Sequence, residues 1–124
     1  MRNMVCIVDD DGDMREVLTR IVRSAGLVAR SFDSAESFLL QRKDVPIGCL
    51  LIDVELGGMS GVRLLETLAD GGVDFPVFLI SGAHDAATMA AANNLGAAII
   101  DKPFDARLLA QRIRAVVGGD ATSQ

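Results

Sequence analysis

The chain has no tryptophan and no tyrosine, and aromatic residues make up only 4% of it. Stacking platforms for nucleobases use such rings, so their scarcity argues against a single-strand nucleic-acid surface. Positive charge is also scarce. Twelve Lys and Arg stand against 17 Asp and Glu, a net charge of −5, and no basic run offsets it. A surface of that sign repels phosphate backbones, which argues against direct nucleic-acid binding. No apolar stretch nears the roughly 20 residues that a membrane helix requires. The first apolar run ends at Asp9, too short for a secretory signal, so the expected compartment is the cytoplasm, with no membrane partner. There are two cysteines, Cys6 and Cys49, far apart and each inside an apolar run. That spacing fits neither a zinc site nor a CxxC pair, and reads as two reduced core thiols.

What remains is 124 residues, half of them hydrophobic. This is enough for one domain with a real core and needs no disulfide or structural metal. Five short apolar runs punctuate the chain: Met4–Val8, Leu27–Ala29, Cys49–Ile52, Val77–Ile80 and Ala97–Ile100. They are rich in Val, Ile and Leu, as strands buried on both faces are. The intervening segments read as helices. Met14, Val17, Leu18, Ile21 and Val22 trace one buried face, with Asp13 and Glu16 as a capping box and Gly26 as the stop. Ser34 caps a helix carrying Phe38 and Leu39, and Ser60 one carrying Leu64, Leu65 and Leu68. An alanine-rich helix spans about Ala86 to Asn94. The last begins after Asp105 and buries Leu108, Leu109, Ile113 and Val116. Five strand–helix units predict an α/β fold, a parallel sheet wound on both faces. Residues 1–117 form the domain, and 118–124, rich in small residues, read as a flexible tail or linker.

Sheets of this kind bind ligands outside the carboxyl ends of their strands. Asp9, Asp10 and Asp11 follow the first strand, Asp53 the third, Ser81 the fourth and Lys102 the fifth. Singly, each has an ordinary explanation as a cap, a turn or a solvated lysine. Together they make coherent chemistry. Three clustered carboxylates repel one another, and a hard cation such as Mg²⁺ with oxygen ligands relieves that cost. With Lys102 as a fixed positive charge and Ser81 as a hydroxyl donor, Asp53 can receive a phosphoryl group in line.

Those positions carry a family resemblance. Ile7-Val-Asp-Asp-Asp11, Leu51-Ile-Asp-Val-Glu55, Met59-Ser-Gly-Val62, Leu79-Ile-Ser-Gly82 and Asp101-Lys-Pro-Phe104 resemble the motifs of response regulator receiver domains. The likeness covers about residues 4–117 and is nearest to the nitrogen-fixation-type regulators that carry a LuxR-type DNA-binding domain. It implies a five-stranded flavodoxin-like (βα)5 sheet of order 2-1-3-4-5 and a switching domain, not an enzyme, phosphorylated on Asp53 by a sensor histidine kinase. It implies metal ligation by Asp9, Asp10, Asp53 and the backbone of Glu55, a switch hydroxyl at Ser81, and a phosphoryl partner at Lys102 preceding a cis proline. It also implies a C-terminal DNA-binding output domain absent from this chain, and phosphorylation-dependent pairing of two copies. Three features depart from the pattern: Ile99 where an aromatic is usual, Gly57-Gly58 where a proline is usual, and the acidic Glu55. The alternatives are a receiver-like interaction module working without phosphorylation, and a small Mg²⁺ phosphatase. The second is weakened by Glu55 standing where such enzymes place an aspartate. The glycine-rich motifs of nucleotide sites are absent from the sequence.

Overall fold

A computed structural model describes residues 2–53, 60–82 and 85–117. Strands and helices alternate along the chain: β1 (Met4–Val8), α1 (Gly12–Ser24), β2 (Val28–Phe32), α2 (Ala35–Gln41), a 3₁₀ turn (Arg42–Asp44), β3 (Ile47–Asp53), α3 (Gly61–Gly71), β4 (Val77–Ser81), α4 (Ala86–Leu95), β5 (Ala98–Asp101) and α5 (Ala106–Val117). All strand pairs are parallel, and their order is β2-β1-β3-β4-β5, as expected. The chain steps outward from β1 to β2 and then back to β3. The order reverses there, which opens a crevice at the carboxyl ends of β1 and β3.

Alternate residues of the central strands feed two cores. Cys6, Val8, Leu50, Ile52 and Leu79 pack with Phe38, Leu64, Leu65, Leu68, Ala91 and Ala92 of α2, α3 and α4. Val5, Ile7, Cys49, Leu51, Phe78 and Ile80 pack with Leu18, Ile21, Val22, Leu109 and Ile113 of α1 and α5. Each fully buried aliphatic side chain contributes about 1.5–3 kcal/mol, so these two layers hold the site's frame rigid. Cys6 and Cys49 are both free and buried. They sit on adjacent strands but belong to opposite cores. Burial pushes their thiols up to about 11 and about 12.

The apolar runs locate β1, β3, β4 and β5 but misplace β2, which starts at Val28 and runs on to Phe32. Arg30 and Ser31 belong to this edge strand although they are exposed and break the run. Arg30 lies over the Phe32 ring at 5.3 Å and donates to Gln41, which covers that edge. β3 begins two residues earlier than its run suggests and includes Gly48. A Cβ there would lie 2.3 Å from the Arg2 carbonyl oxygen, so the close backbone approach requires glycine.

Ser34 and Ser60 cap α2 and α3 as expected, accepting from the amides of Ser37 and Arg63. The α1 cap differs. Asp11, not Asp13, accepts from the amides of Asp13 and Met14. Asp13 already lies inside the first turn, and Glu16 pairs with Arg20 instead of closing a box. Gly26 adopts φ +81° just past the helix, a left-handed backbone that glycine accommodates. Three apolar residues expected inside are exposed: Val17 at 44%, Leu108 at 56% and Val116 at 38%. The buried stripe of α5 is Leu109, Ile113 and Val117, narrower than the apolar positions in its sequence. Among the described residues no helix is long and apolar enough to cross a membrane. Residues 118–124, expected to form a tail, lie outside the described residues.

Candidate functional site

The frame delivers four side chains to one end of the sheet. Asp9 follows β1 directly, and Asp53 is the last residue of β3. Asp53 stands opposite Ile80 in the register, and Ser81, the next residue, closes β4. Lys102 follows β5, and its amide donates to the Ser81 carbonyl at 3.0 Å. Asp9, Asp53 and Ser81 are buried, at 1%, 7% and 0% exposure. Polar groups this deep require compensation.

For Asp53 the compensation is Lys102, whose Nζ donates to Oδ2 at 3.0 Å. The pair is sheltered, with side chains 29% and 8% exposed. The Lys102–Pro103 peptide is cis, as the resemblance implied. For Asp9 the compensation is partial. Its amide donates to the Phe32 carbonyl, and its Oδ1 accepts from the Asp11 amide at 2.9 Å. Its Oδ2 is buried with no hydrogen-bond partner. Burial pushes the Asp9 carboxyl up to about 6. The Asp11 amide opposes that rise, the charge of Asp53 and the close approach of its carboxylate, within hydrogen-bonding reach of a protonated Asp9, add to it, and Lys102 offsets part of it.

The expected group of acids is only partly gathered. Asp9 and Asp53 face each other, whereas the Asp10 residue is exposed. Among the described residues no three carboxylate, imidazole or thiolate groups are close enough together to hold a metal by themselves. A buried carboxylate oxygen with an unmet acceptor, next to a second carboxylate, nonetheless fits a hydrated hard cation. Mg²⁺ binds through one or two carboxylates and keeps several waters. Glu55, the Gly57-Gly58 departure and Met59 lie outside the described residues. Ile99 is half-buried on β5 and packs against the core shared with α2, α3 and α4.

The sequence reading does not single out Arg15. Its Nη1 donates to the Asp9 carbonyl at 2.7 Å. The available signal is a cation in the first turn of the helix that follows the acidic strand end, where the helix dipole disfavours positive charge.

Fold and site together define a doubly wound domain with an acidic pocket facing an ion-paired lysine. Comparison with known proteins makes this specific. The response regulator receiver domain family matches residues 5–114, and the chain belongs to that family. It is 35% identical over 118 residues to the transcriptional regulatory protein FixJ of Azorhizobium caulinodans, covering 94% of this chain and 56% of that protein. It is 35% identical over 116 residues to the response regulator protein TodT of Pseudomonas putida, covering 93% and 51%. The crystal structure of FixJ-N superposes with a TM-score of 0.82 at 32% identity, covering 95% of each chain. The chain spans about half the length of the curated relatives it matches.

Proposed function

We propose that this receiver domain is a phosphorylation switch. Asp53 accepts a phosphoryl group from the phosphohistidine of a sensor histidine kinase in a Mg²⁺-dependent reaction. One observation carries the reading: a buried Asp53 held by Lys102 beside a buried Asp9 with an unmet acceptor oxygen. An Oδ of Asp53 attacks phosphorus in line, the new O–P bond forms, and the P–N bond to the donor imidazole breaks with its electron pair staying on nitrogen. Asp9, Asp10, Asp53 and the backbone of Glu55 would hold Mg²⁺, which when bound neutralises charge on the phosphoryl oxygens.

The chain's own residues do the rest. Asp53 sits at the end of a rigid, fully buried strand, which fixes the direction of attack. Lys102 already donates to the acceptor carboxylate, and it follows the charge onto the phosphoryl oxygens as transfer proceeds. The Ser81 hydroxyl then donates to the modified side chain. Both residues are joined by the Lys102 amide bond to the Ser81 carbonyl, so their movement shifts β5 and its neighbours. With Ile99 on β5, the shift is carried by aliphatic packing and not by a swinging ring. The responding surface lies along β5 and α5, where Ile99, Phe104, Leu108 and Arg112 line a cavity of about 230 Å³.

Relatives named as transcriptional regulators support a wider setting for the proposal. The kinase acts on this domain, a C-terminal DNA-binding domain reads its state, and phosphorylation promotes pairing of two copies. The residues at 118–124 serve as the linker. Action in the cytoplasm accords with two free thiols. The domain does not turn over a substrate of its own. The test is labelling by a small phosphodonor, read by intact mass. Wild type gains one phosphoryl group only with Mg²⁺, and Asp53→Asn gains none. If wild type also stays unlabelled, the domain is instead an interaction module that works without phosphorylation.

A further inference from the structure

We infer that Arg15 is a positioning residue for the acidic turn, setting the direction of the Asp9 carboxylate through the backbone of Asp9. The inference rests on the proposed role of Asp9 in cation binding, and it concerns a residue outside the acid, lysine and hydroxyl set. Asp9 is the residue at which β1 leaves the sheet. Its amide still bonds to the Phe32 carbonyl of β2. In a longer parallel pair its carbonyl would bond the next amide along β2, but β2 ends at Phe32. The Arg15 guanidinium takes that place, with Nη1 at 2.7 Å.

Further observations point to a purpose. Arg15 lies in the first turn of α1, where a cation opposes the helix dipole, so helix formation does not account for it. Its guanidinium passes beside Gly12, at an ordinary contact distance of 3.4 Å from where a Cβ would sit. The Asp9 backbone is thereby held at both its amide and its carbonyl, and the side chain hangs from a fixed point. Oδ1 is taken by the Asp11 amide. Oδ2 is left buried with no hydrogen bond donated to it. Release of the carbonyl frees the peptide that links Asp9 to Asp10 to rotate, which misdirects both side chains at once. A donor to a ligand's backbone thus does the orienting work that outer-sphere hydrogen bonds do at metal sites.

The test uses Arg15→Met, which keeps the side chain's length and removes the donor. The first readout needs no cation: amide hydrogen exchange of Asp11 by NMR, compared with amides of β3 in the same sample. The second is Mn²⁺ affinity by EPR titration. The expected result is Asp11 exchange selectively faster than β3 exchange, and Mn²⁺ affinity weakened about ten-fold or more. At saturating Mg²⁺ the phosphorylation rate returns toward wild type, because the defect is in positioning. Unchanged Asp11 exchange overturns the inference, and so does faster exchange with wild-type Mn²⁺ affinity. Should Arg15→Met not fold, Arg15→Gln, whose amide stops short of the carbonyl, is read by the same criteria. If wild type itself binds no Mn²⁺, the proposed function fails, and the Asp11 exchange still decides whether Arg15 sets the turn.

Discussion

The two flanks of the site are held in different ways. On the β1 side, Asp9 is fixed through its backbone: its amide bonds to Phe32, its carbonyl to Arg15, and its Oδ1 to the Asp11 amide. On the β4–β5 side, Lys102 reaches the site on a long side chain and meets Asp53 through an ion pair at 3.0 Å. The first flank is preset and carries an electrostatic debt in its unmet oxygen. The second is charged, adaptable and partly open to solvent. The proposed switch would use this asymmetry, with one wall staying still while the other moves.

The largest effect that sharpens the contrast is expected from Lys102→Met. Loss of the ammonium that follows the transferring charge should slow Asp53 labelling by about 10²-fold. A time course by intact mass measures it. A near wild-type rate would make the adaptable flank dispensable.

Next comes the debt itself. The unfolded chain releases the Asp9 proton near pH 4, whereas the folded protein keeps it to about pH 6. A raised carboxyl stabilises the fold below the unfolded value and loses that contribution as pH rises through the folded one. In metal-free buffer this residue should therefore remove up to about 3 kcal/mol between pH 4 and 6. Urea melts of wild type and Asp9→Asn across that range isolate it as a difference. Parallel profiles would mean that the preset flank carries no debt.

Asp9→Asn should also weaken Mn²⁺ binding by about ten-fold or more, since the amide cannot supply the anionic oxygen. Titration calorimetry measures this, and unchanged affinity would move the cation away from β1. The smallest effect is expected from Asp11→Ala. It removes the α1 cap at a cost of about 1 kcal/mol in thermal stability. The bond to Asp9 Oδ1 comes from the Asp11 backbone, so cation affinity should stay near wild type.

The adaptable flank was the more legible in sequence. Asp53 and Ser81 each directly follow a short apolar run, Lys102 stands two residues past another, and strand order alone gathers such ends on one edge of a parallel sheet. The preset flank was legible only in part. Asp9 could be picked out, but for the guanidinium that grips its carbonyl the only trace is a cation early in the following helix, which does not reveal a bond to backbone six positions away. The choice of Asp11 over Asp13 as cap turned on where α1 begins, which aspartates at alternate positions leave ambiguous. β2 was misplaced because the apolar-run criterion describes strands buried on both faces, and the exposed Arg30 and Ser31 interrupt this one. The exposure of Leu108 and Val116 has a similar origin: an apolar residue beside a buried stripe looks the same in sequence as one within it.

The placement of Cys6 and Cys49 on neighbouring strands but opposite layers has a practical consequence. Each sulfur is sealed in a different half of the molecule, with its ionisation suppressed. An alkylating reagent therefore acts as a pair of clocks. Equal rates of modification would say that the two layers come apart in a single event, and unequal rates would reveal which layer opens first and whether occupying the acidic pocket delays it.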